Sequence, residues 1–271
     1  MPSLFSFPLN VGLLIAFLLL LWVVESEYGS RNLVRRMRSL TVSYWLLGIV
    51  VAWCVVGGLV PPQWATEGSL WKALGFQFFP SAWGFGILMF LLLAHLALIV
   101  IHRLRKQQWR RDLPFLMVHA GLWTALAGGM AGSTDRMEGR AIVGREAECR
   151  TMFLRDGSVV PLGYGLHLTD FSVEHNEKDG SVMQYAATIS IDSTTTTVIA
   201  VNHPYAMRWD EDLYLNSYDQ RHDASGERVE YAVLQIVREP WKHVTLAGIV
   251  MLGLGMVLLV LRLTTRPLSS I

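Results

Sequence analysis

The sequence predicts a helical membrane protein of about five transmembrane helices, with a small β-rich external domain between the fourth and fifth spans. Three observations lead to this fold class. Long segments contain no Asp, Glu, Lys or Arg; the short loops between them differ strongly in basic residues; and the segment 133–243 changes to β-branched residues and turn pairs.

Five uncharged segments come close to the ~20 apolar residues that are needed to cross a bilayer. They are Leu4–Val24, Thr41–Gln63, Ala73–Ile101, Leu113–Thr134 and Val244–Leu261. The third is long enough for one span and an additional interfacial segment. The first is expected to stay in the mature protein, because Met1–Asn10 has no basic residue and no small-x-small cleavage site precedes the next charged stretch.

Basic residues in the short loops predict the orientation of the spans. Four arginines lie between the first and second spans, and five basic residues lie between the third and fourth: Arg31, Arg35, Arg36, Arg38, Arg103, Arg105, Lys106, Arg110 and Arg111. The loop Pro61–Trp83 has only Lys72, which Glu67 balances. Because basic short loops stay in the cytoplasm, the N-terminus and residues 133–243 are expected outside and the C-terminus inside.

This topology divides the chain into four parts. They are an extra N-terminal helix with an Arg-rich cytoplasmic loop (1–42), three transmembrane helices (43–132), the external domain (133–243), and a C-terminal helix with a short cytoplasmic tail (244–271). The net charge of +1 gives no indication of nucleic-acid binding, since topology accounts for most basic residues. The two cysteines, Cys54 in a span and Cys149 outside, are not expected to form an internal disulfide.

The external domain is predicted to be built of strands. FLRDGSVVPL and NEKDGSVMQY each place an Asp-Gly pair between apolar runs, which is a strong hairpin signal. MQYAATISIDSTTTTVIAVN and EYAVLQIV are rich in β-branched residues. No motif of a hydrolase, zinc enzyme or nucleotide-binding site occurs in this segment, and we expect Asp170, Glu174 and His175 to be solvated surface residues.

One external segment, Asn202–Asp219 (NHPYAMRWDEDLYLNSYD), is unusually aromatic. It contains Trp209, Tyr205, Tyr214 and Tyr218. Large aromatic side chains beside charged ones are typical of protein interfaces. A docking surface for a partner is therefore one interpretation, and packing within the β domain is the other.

A single histidine, His119, lies within the fourth span, in RRDLPFLMVHAGLW (110–123). At about 100° per residue, His119 shares its helix face with large residues, whereas the opposite face is small and allows close helix packing. The large residues are Phe115, Leu122, Trp123, Leu126 and Met130, and the small ones are Gly121, Ala125, Gly128 and Gly132. An imidazole among bulky apolar groups suits an axial ligand of haem iron, and Arg110 and Arg111 are candidate donors to the haem propionates.

Two alternatives to this role of His119 remain open. One is a helix–helix hydrogen bond that involves no cofactor. The other is a bis-histidine b-type haem within this chain, because His95 and His119 each lie eight residues from a flanking arginine, about 12 Å along a helix. His102 follows His95 at the interface, where we expect it to snorkel or to contact headgroups.

The order of these features resembles the ResB/CcsB family, a membrane subunit of System II cytochrome c biogenesis. The resemblance rests on the Arg-rich loop, FLMVHAGLW, EGRAIVGREAE, VNHPYAMRWDEDLYLNSYD and EYAVLQIVREPWKHVTLAGIVMLGLG, and it covers roughly residues 43–263. The N-terminal span departs from the family's minimal four-span pattern. The tryptophan-rich haem-handling segment of the partner subunit CcsA is also missing from this chain.

The resemblance implies a specific function. Family members act with CcsA in the bacterial inner membrane, move haem b outward and present it for attachment to apocytochrome c, as part of a cytochrome c haem lyase or synthase complex. The family's haem-ligand histidine corresponds to His119, and CcsA supplies the second axial ligand. Two other classes stay open: a b-type cytochrome anchor for quinone electron transfer, which needs both His95 and His119, and a non-catalytic membrane scaffold.

Overall fold

The computed structural model describes residues 6–76, 82–106, 109–176, 181–225 and 227–264. The chain forms two compact units. One is a helical unit, Met1–Ala131 with His243–Ile271, and the other is a β unit, Gly132–Lys242.

The helical unit is built from long apolar helices joined by short ones. The helices are α1 (Leu9–Tyr28), α2 (Asn32–Met37), α3 (Leu40–Leu59), α4 (Leu70–Ala73), α5 (Trp83–Arg105), α6 (Trp109–Asp135) and α8 (Lys242–Thr264), with a 3₁₀ turn at Pro62–Trp64. Helix α6 continues into the β unit, and α8 begins at its last residue.

Five helices among the described residues are long and apolar enough to cross a membrane: α1, α3, α5, α6 from Arg111, and α8. Five apolar helices are thus present, as the sequence predicted, and they agree with a multi-pass membrane protein. The third uncharged segment, Ala73–Ile101, was expected to hold one span and an interfacial segment, and within it α5 begins at Trp83. Residues 70–73 instead form the short helix α4, capped by the Ser69 hydroxyl, which accepts a hydrogen bond from the Lys72 amide.

Small residues bring α6 and α8 into backbone contact, as their spacing predicted. A methyl group added at Gly121 would lie 2.5 Å from the Leu252 amide nitrogen, and one at Gly248 would lie 2.4 Å from the Ala125 amide nitrogen. A methyl group added at Gly128 would lie 2.7 Å from the Thr245 hydroxyl oxygen. Only glycine permits these approaches, so the small face of α6 is the α8 contact.

The large face of α6 is used differently from what the sequence predicted. Leu122, Trp123, Leu126 and Met130 pack against a buried cluster of α5 formed by Met89, Leu92 and Leu96. Helix α5 therefore covers most of the face that was expected to surround a ligand beside His119. The apolar surface of these residues contributes to the core of the bundle instead.

The β unit is one eight-stranded sheet of antiparallel neighbours, in the order β5-β4-β3-β2-β1-β8-β7-β6. The strands are β1 (Met137–Gly144), β2 (Cys149–Leu154), β3 (Val159–His175), β4 (Val182–Ile191), β5 (Thr195–Ala200), β6 (Tyr205–Arg208), β7 (Glu211–Tyr218) and β8 (Tyr231–Arg238), with a short helix α7 (Gln220–Ser225) before β8. The predicted β-rich domain is confirmed. The first Asp-Gly pair forms the β2–β3 hairpin, where Gly157 has φ +82°; the second pair lies outside the described residues.

The sheet curls over one buried face, so that strands from its two ends meet. A bridge joins Ala200, at the end of β5, to His203, just before β6. Within the core the Tyr164 hydroxyl donates to Glu211 Oε1 at 2.7 Å, and Arg238 pairs with the other oxygen of the same carboxylate. Glu211 is 1% exposed, and a carboxylate is tolerated there because both partners are present. Burial first, and then the Glu211 hydrogen bond, raises the pKa of Tyr164.

Candidate haem site

His119 is held in a defined tautomer by its own helix. Its Nδ1 atom lies 2.9 Å from the carbonyl oxygen of Phe115, one turn earlier, and the Phe115 ring stacks on the imidazole at 3.9 Å between centroids. Because a carbonyl only accepts, Nδ1 must carry the proton, and in the neutral ring the lone pair is on Nε2. Within the described residues Nε2 has no hydrogen-bond partner, so its lone pair is available to a ligand.

His119 lines a pocket of about 360 Å³ between the start of α3, the end of α5 and the first half of α6. Its walls combine apolar and cationic side chains: Arg38, Leu40, Ser43, Ile99, His102, Arg103, Lys106, Phe115 and His119. All of these residues belong to the helical unit. The pocket therefore places a free imidazole nitrogen among apolar side chains and beside cations.

Part of the positive charge that lines the pocket is balanced by the carboxylate of Asp112. Arg103 donates to Asp112 Oδ2 at 3.2 Å, and its guanidinium carbon lies 4.8 Å from the centre of the Phe115 ring. Lys106 is exposed. A flat apolar ligand with anionic groups would match both sides of this pocket, because cations favour carboxylates and imidazole favours a transition metal. The residues present therefore fit haem.

His95 is engaged in hydrogen bonds at both ring nitrogens. Its Nδ1 donates to the Met37 carbonyl at 2.5 Å, so its Nε2 accepts from the Ser43 hydroxyl at 2.7 Å. The side chain is buried, at 3% exposure. Ligation of a metal by His95 would require one of these bonds to break. The two histidines thus differ in one physical respect, which is that only His119 offers an unengaged lone pair.

The other residues predicted for haem binding are dispersed. Phe115 lies in the His119 pocket, but the Trp123 indole donates to the Leu93 carbonyl at 3.1 Å and lines a separate apolar cavity of about 470 Å³. Arg111 lies with Leu259 and Arg262 in another cavity, and its carbonyl accepts from Arg262. The side chain of Arg110 lies outside the described residues.

Four basic pocket residues were missed as site residues by sequence reasoning: Arg38, His102, Arg103 and Lys106. The arginines and the lysine were assigned to membrane orientation, and His102 to the interface. Their positions at the ends of helices were visible in the sequence, but the assembly of α3, α5 and α6 that brings them beside His119 was not.

The aromatic segment of the β unit divides into exposed and buried residues. Trp209 is 56% exposed and Tyr214 38% exposed. Tyr205 packs against the core, and Tyr218 is buried against Phe171 and Tyr185, with ring centroids 4.9 Å from each. Burial, followed by a hydrogen bond to Asp223, raises the pKa of Tyr218 to about 12. Packing within the β unit therefore accounts for Tyr205 and Tyr218, whereas a docking surface stays a prediction for the exposed Trp209 and Tyr214.

Both cysteines are free thiols. Cys54 is exposed on α3, and the Cys149 thiol donates to the Thr151 carbonyl at 3.2 Å. The part of the chain that the structure describes contains no cluster of three or more His, Cys, Asp or Glu residues that would hold a metal ion.

Residues 105–228 match the model of the ResB-like family. This part of the chain is ResB-like. A solved structure, "Cytochrome c Heme Lyase CcmF", aligns with 92% of this chain and 38% of its own chain, at 15% identity and a TM-score of 0.43. The chain thus spans well under half of that structure, and so weak a likeness carries no conclusion. No curated protein matches the chain significantly.

Some of the candidate residues lie inside the ResB-like segment and others lie before it. It contains Phe115, His119 and the aromatic segment Asn202–Asp219, whereas His95 and Arg38 lie before it. The match confirms the sequence resemblance and supports a role in cytochrome c biogenesis at a membrane. It does not extend to α1, α3 or most of α5, so it includes Lys106 of the pocket but not Arg38 or Arg103.

Proposed function

We propose that this protein binds haem through His119 and delivers it for cytochrome c maturation outside the membrane. One observation carries the proposal: the Nδ1–H of His119 is fixed by Phe115, which leaves the Nε2 lone pair facing no protein partner among the described residues. When a histidine binds a metal through one ring nitrogen, a hydrogen bond from the other ring nitrogen sets the tautomer and the ring orientation. In this role haem is the cargo of the protein, which binds it transiently and passes it on.

The proposal includes a partner and a location. The ResB-like match supports a role in cytochrome c biogenesis, and we propose that the protein acts in System II with a CcsA-type membrane subunit that supplies the second axial histidine. In this account the protein is one subunit of a haem lyase complex, in the bacterial inner membrane with the β unit on the periplasmic side. The exposed Trp209 and Tyr214 are proposed to contact CcsA or the arriving apocytochrome c.

Each residue of the site has a role in this account. His119 holds the iron, and Phe115 limits rotation of the imidazole by stacking on it. The apolar walls exclude water from the macrocycle, and the pocket cations balance its carboxylates. No covalent step is assigned to this chain, so attachment of haem to the apocytochrome belongs to the complex.

The experiment is maturation of a reporter cytochrome c in cells that produce this protein with a CcsA-type subunit. His119→Ala should abolish covalently attached haem, and added imidazole should restore part of it by occupying the vacant iron position. Undiminished maturation in the His119→Ala strain, with equal protein levels, would contradict the proposal.

A further inference from the structure

Glu25, near the end of α1, is a buried carboxylate at the back of the His119 pocket. It is 2% exposed. Its Oε1 atom accepts from Arg38 Nη1 at 2.6 Å and lies 2.8 Å from His102 Nδ1. A buried carboxylate is costly without such partners. The contacts of Glu25 therefore hold α1 against Arg38 and His102.

The same network fixes the backbone around Glu25. Arg38 also donates to the Gly29 carbonyl at 2.7 Å, and Arg105 donates to the Glu25 carbonyl at 2.7 Å. The side chain of Arg38 is consequently only 11% exposed. A long, flexible guanidinium is thereby restricted to one position, which lowers the entropy lost when it binds a ligand.

Arg38 and His102, the two residues that Glu25 holds, both line the pocket together with His119. Arg103 and Lys106 complete its cationic side, and the two arginines and the lysine outnumber the two carboxylates, Glu25 and Asp112, that pair with them. The excess charge is positive and lies beside an apolar wall. Such a pocket favours a ligand that carries carboxylates at one edge.

We propose that Glu25 is a positioning residue, and that through Arg38 and His102 it makes the pocket selective for the carboxylates of its ligand. The proposal rests on the proposed function, in which those carboxylates are the two propionates of haem. It also gives the N-terminal helix α1 a role, since that helix supplies the residue that orders the cations. Haem would then enter in one orientation, with its propionates toward Arg38 and Lys106.

The test compares ferric haem with its dimethyl ester, which has the same macrocycle and iron but no free carboxylate. The full-length protein in detergent is titrated with each, and the Soret absorbance reports both affinity and axial ligation. Wild-type protein should bind haem about tenfold more tightly than the ester, as expected for one or two charge-assisted hydrogen bonds. Glu25→Gln should reduce this preference to about twofold, mainly by weakening haem binding.

Three further variants complete the design. Glu27→Gln, an exposed residue of the same helix, is the matched control and should keep the wild-type preference. Glu25→Asp retains the charge and should restore part of it. If Glu25→Gln does not fold, Lys106→Gln replaces an exposed pocket cation and should lower the preference without disturbing the bundle.

The outcomes separate this proposal from the proposed function. Equal affinity of the wild-type protein for haem and ester would overturn carboxylate recognition, while a Soret spectrum that still depends on His119 would leave the haem role intact. Equal weakening of both ligands by Glu25→Gln would make Glu25 purely structural. Loss of the preference in Glu25→Gln, with the His119-dependent spectrum retained for the ester, is the supporting result.

Discussion

The Nδ1 atom of His119 lies 2.9 Å from the carbonyl oxygen of Phe115, and this single hydrogen bond leaves the Nε2 lone pair available. His95, on the neighbouring helix α5, also donates from Nδ1 to a backbone carbonyl. Its Nε2 lone pair is not available, however, because Ser43 donates to it. A bis-histidine haem within this chain would therefore require the Ser43 bond to break. The structure accordingly disfavours His95 as the second ligand of a haem held by His119.

The orientation of the spans is open to direct measurement. We expect alkaline phosphatase to be inactive when it is fused after Arg38 or Arg105, and active when it is fused after Ser193 in the β unit, because the Arg-rich loops stay in the cytoplasm. Green fluorescent protein fused at the same sites should give the reverse pattern. Phosphatase activity after Arg38 would invert the topology and the direction of haem delivery.

The glycine contacts between α6 and α8 predict a strong positional effect. Gly248→Ala places a methyl group 2.4 Å from the Ala125 amide nitrogen, and overpacking of this kind costs about 1–3 kcal/mol. Gly253→Ala on the same helix meets nothing within 4 Å and is the control. The melting temperature of the detergent-solubilised protein should fall for Gly248→Ala alone, and equal melting temperatures would contradict the packing.

In the β unit the buried Glu211 should be critical for stability. Glu211→Ala leaves Arg238 without its buried carboxylate partner and Tyr164 without its acceptor, a loss of about 3–5 kcal/mol. Arg150→Ala removes an exposed ion pair with Glu148 and should cost at most about 1 kcal/mol. Limited proteolysis of the full-length protein would compare them, and equal protease resistance of the two variants would refute the network's role.

The exposed aromatics predict a partner contact that buried ones cannot make. Trp209→Ala with Tyr214→Ala should weaken co-purification with CcsA or apocytochrome c by about 30-fold, which is the effect of losing an interface hot spot. Val198→Ala, at a residue 63% exposed on β5, is the control and should have no effect. Unchanged association of the double variant would show that Trp209 and Tyr214 are exposed residues with no part in partner binding.

Sequence reasoning predicted features that depend on local pattern. Hydropathy located the five apolar helices because the length of a span follows from bilayer thickness, and the Gly121 and Gly128 spacing predicted a close helix contact because helical periodicity is regular. It failed where the partner of a residue is distant in sequence. Trp123 shares a helix face with His119, yet α5 covers it, and Glu25 meets His102 across 77 positions.

The most direct test of the central claim is the haem content of the purified protein and its variants, measured by visible spectroscopy after co-production with a CcsA-type subunit. We expect His119→Ala to lose the co-purified haem and its low-spin Soret band, with partial recovery of both in imidazole, whereas His95→Ala retains most of the haem. Equal and complete loss in both variants, in protein purified without CcsA, would establish the bis-histidine cytochrome instead. Full retention of haem by His119→Ala would contradict His119 as its ligand.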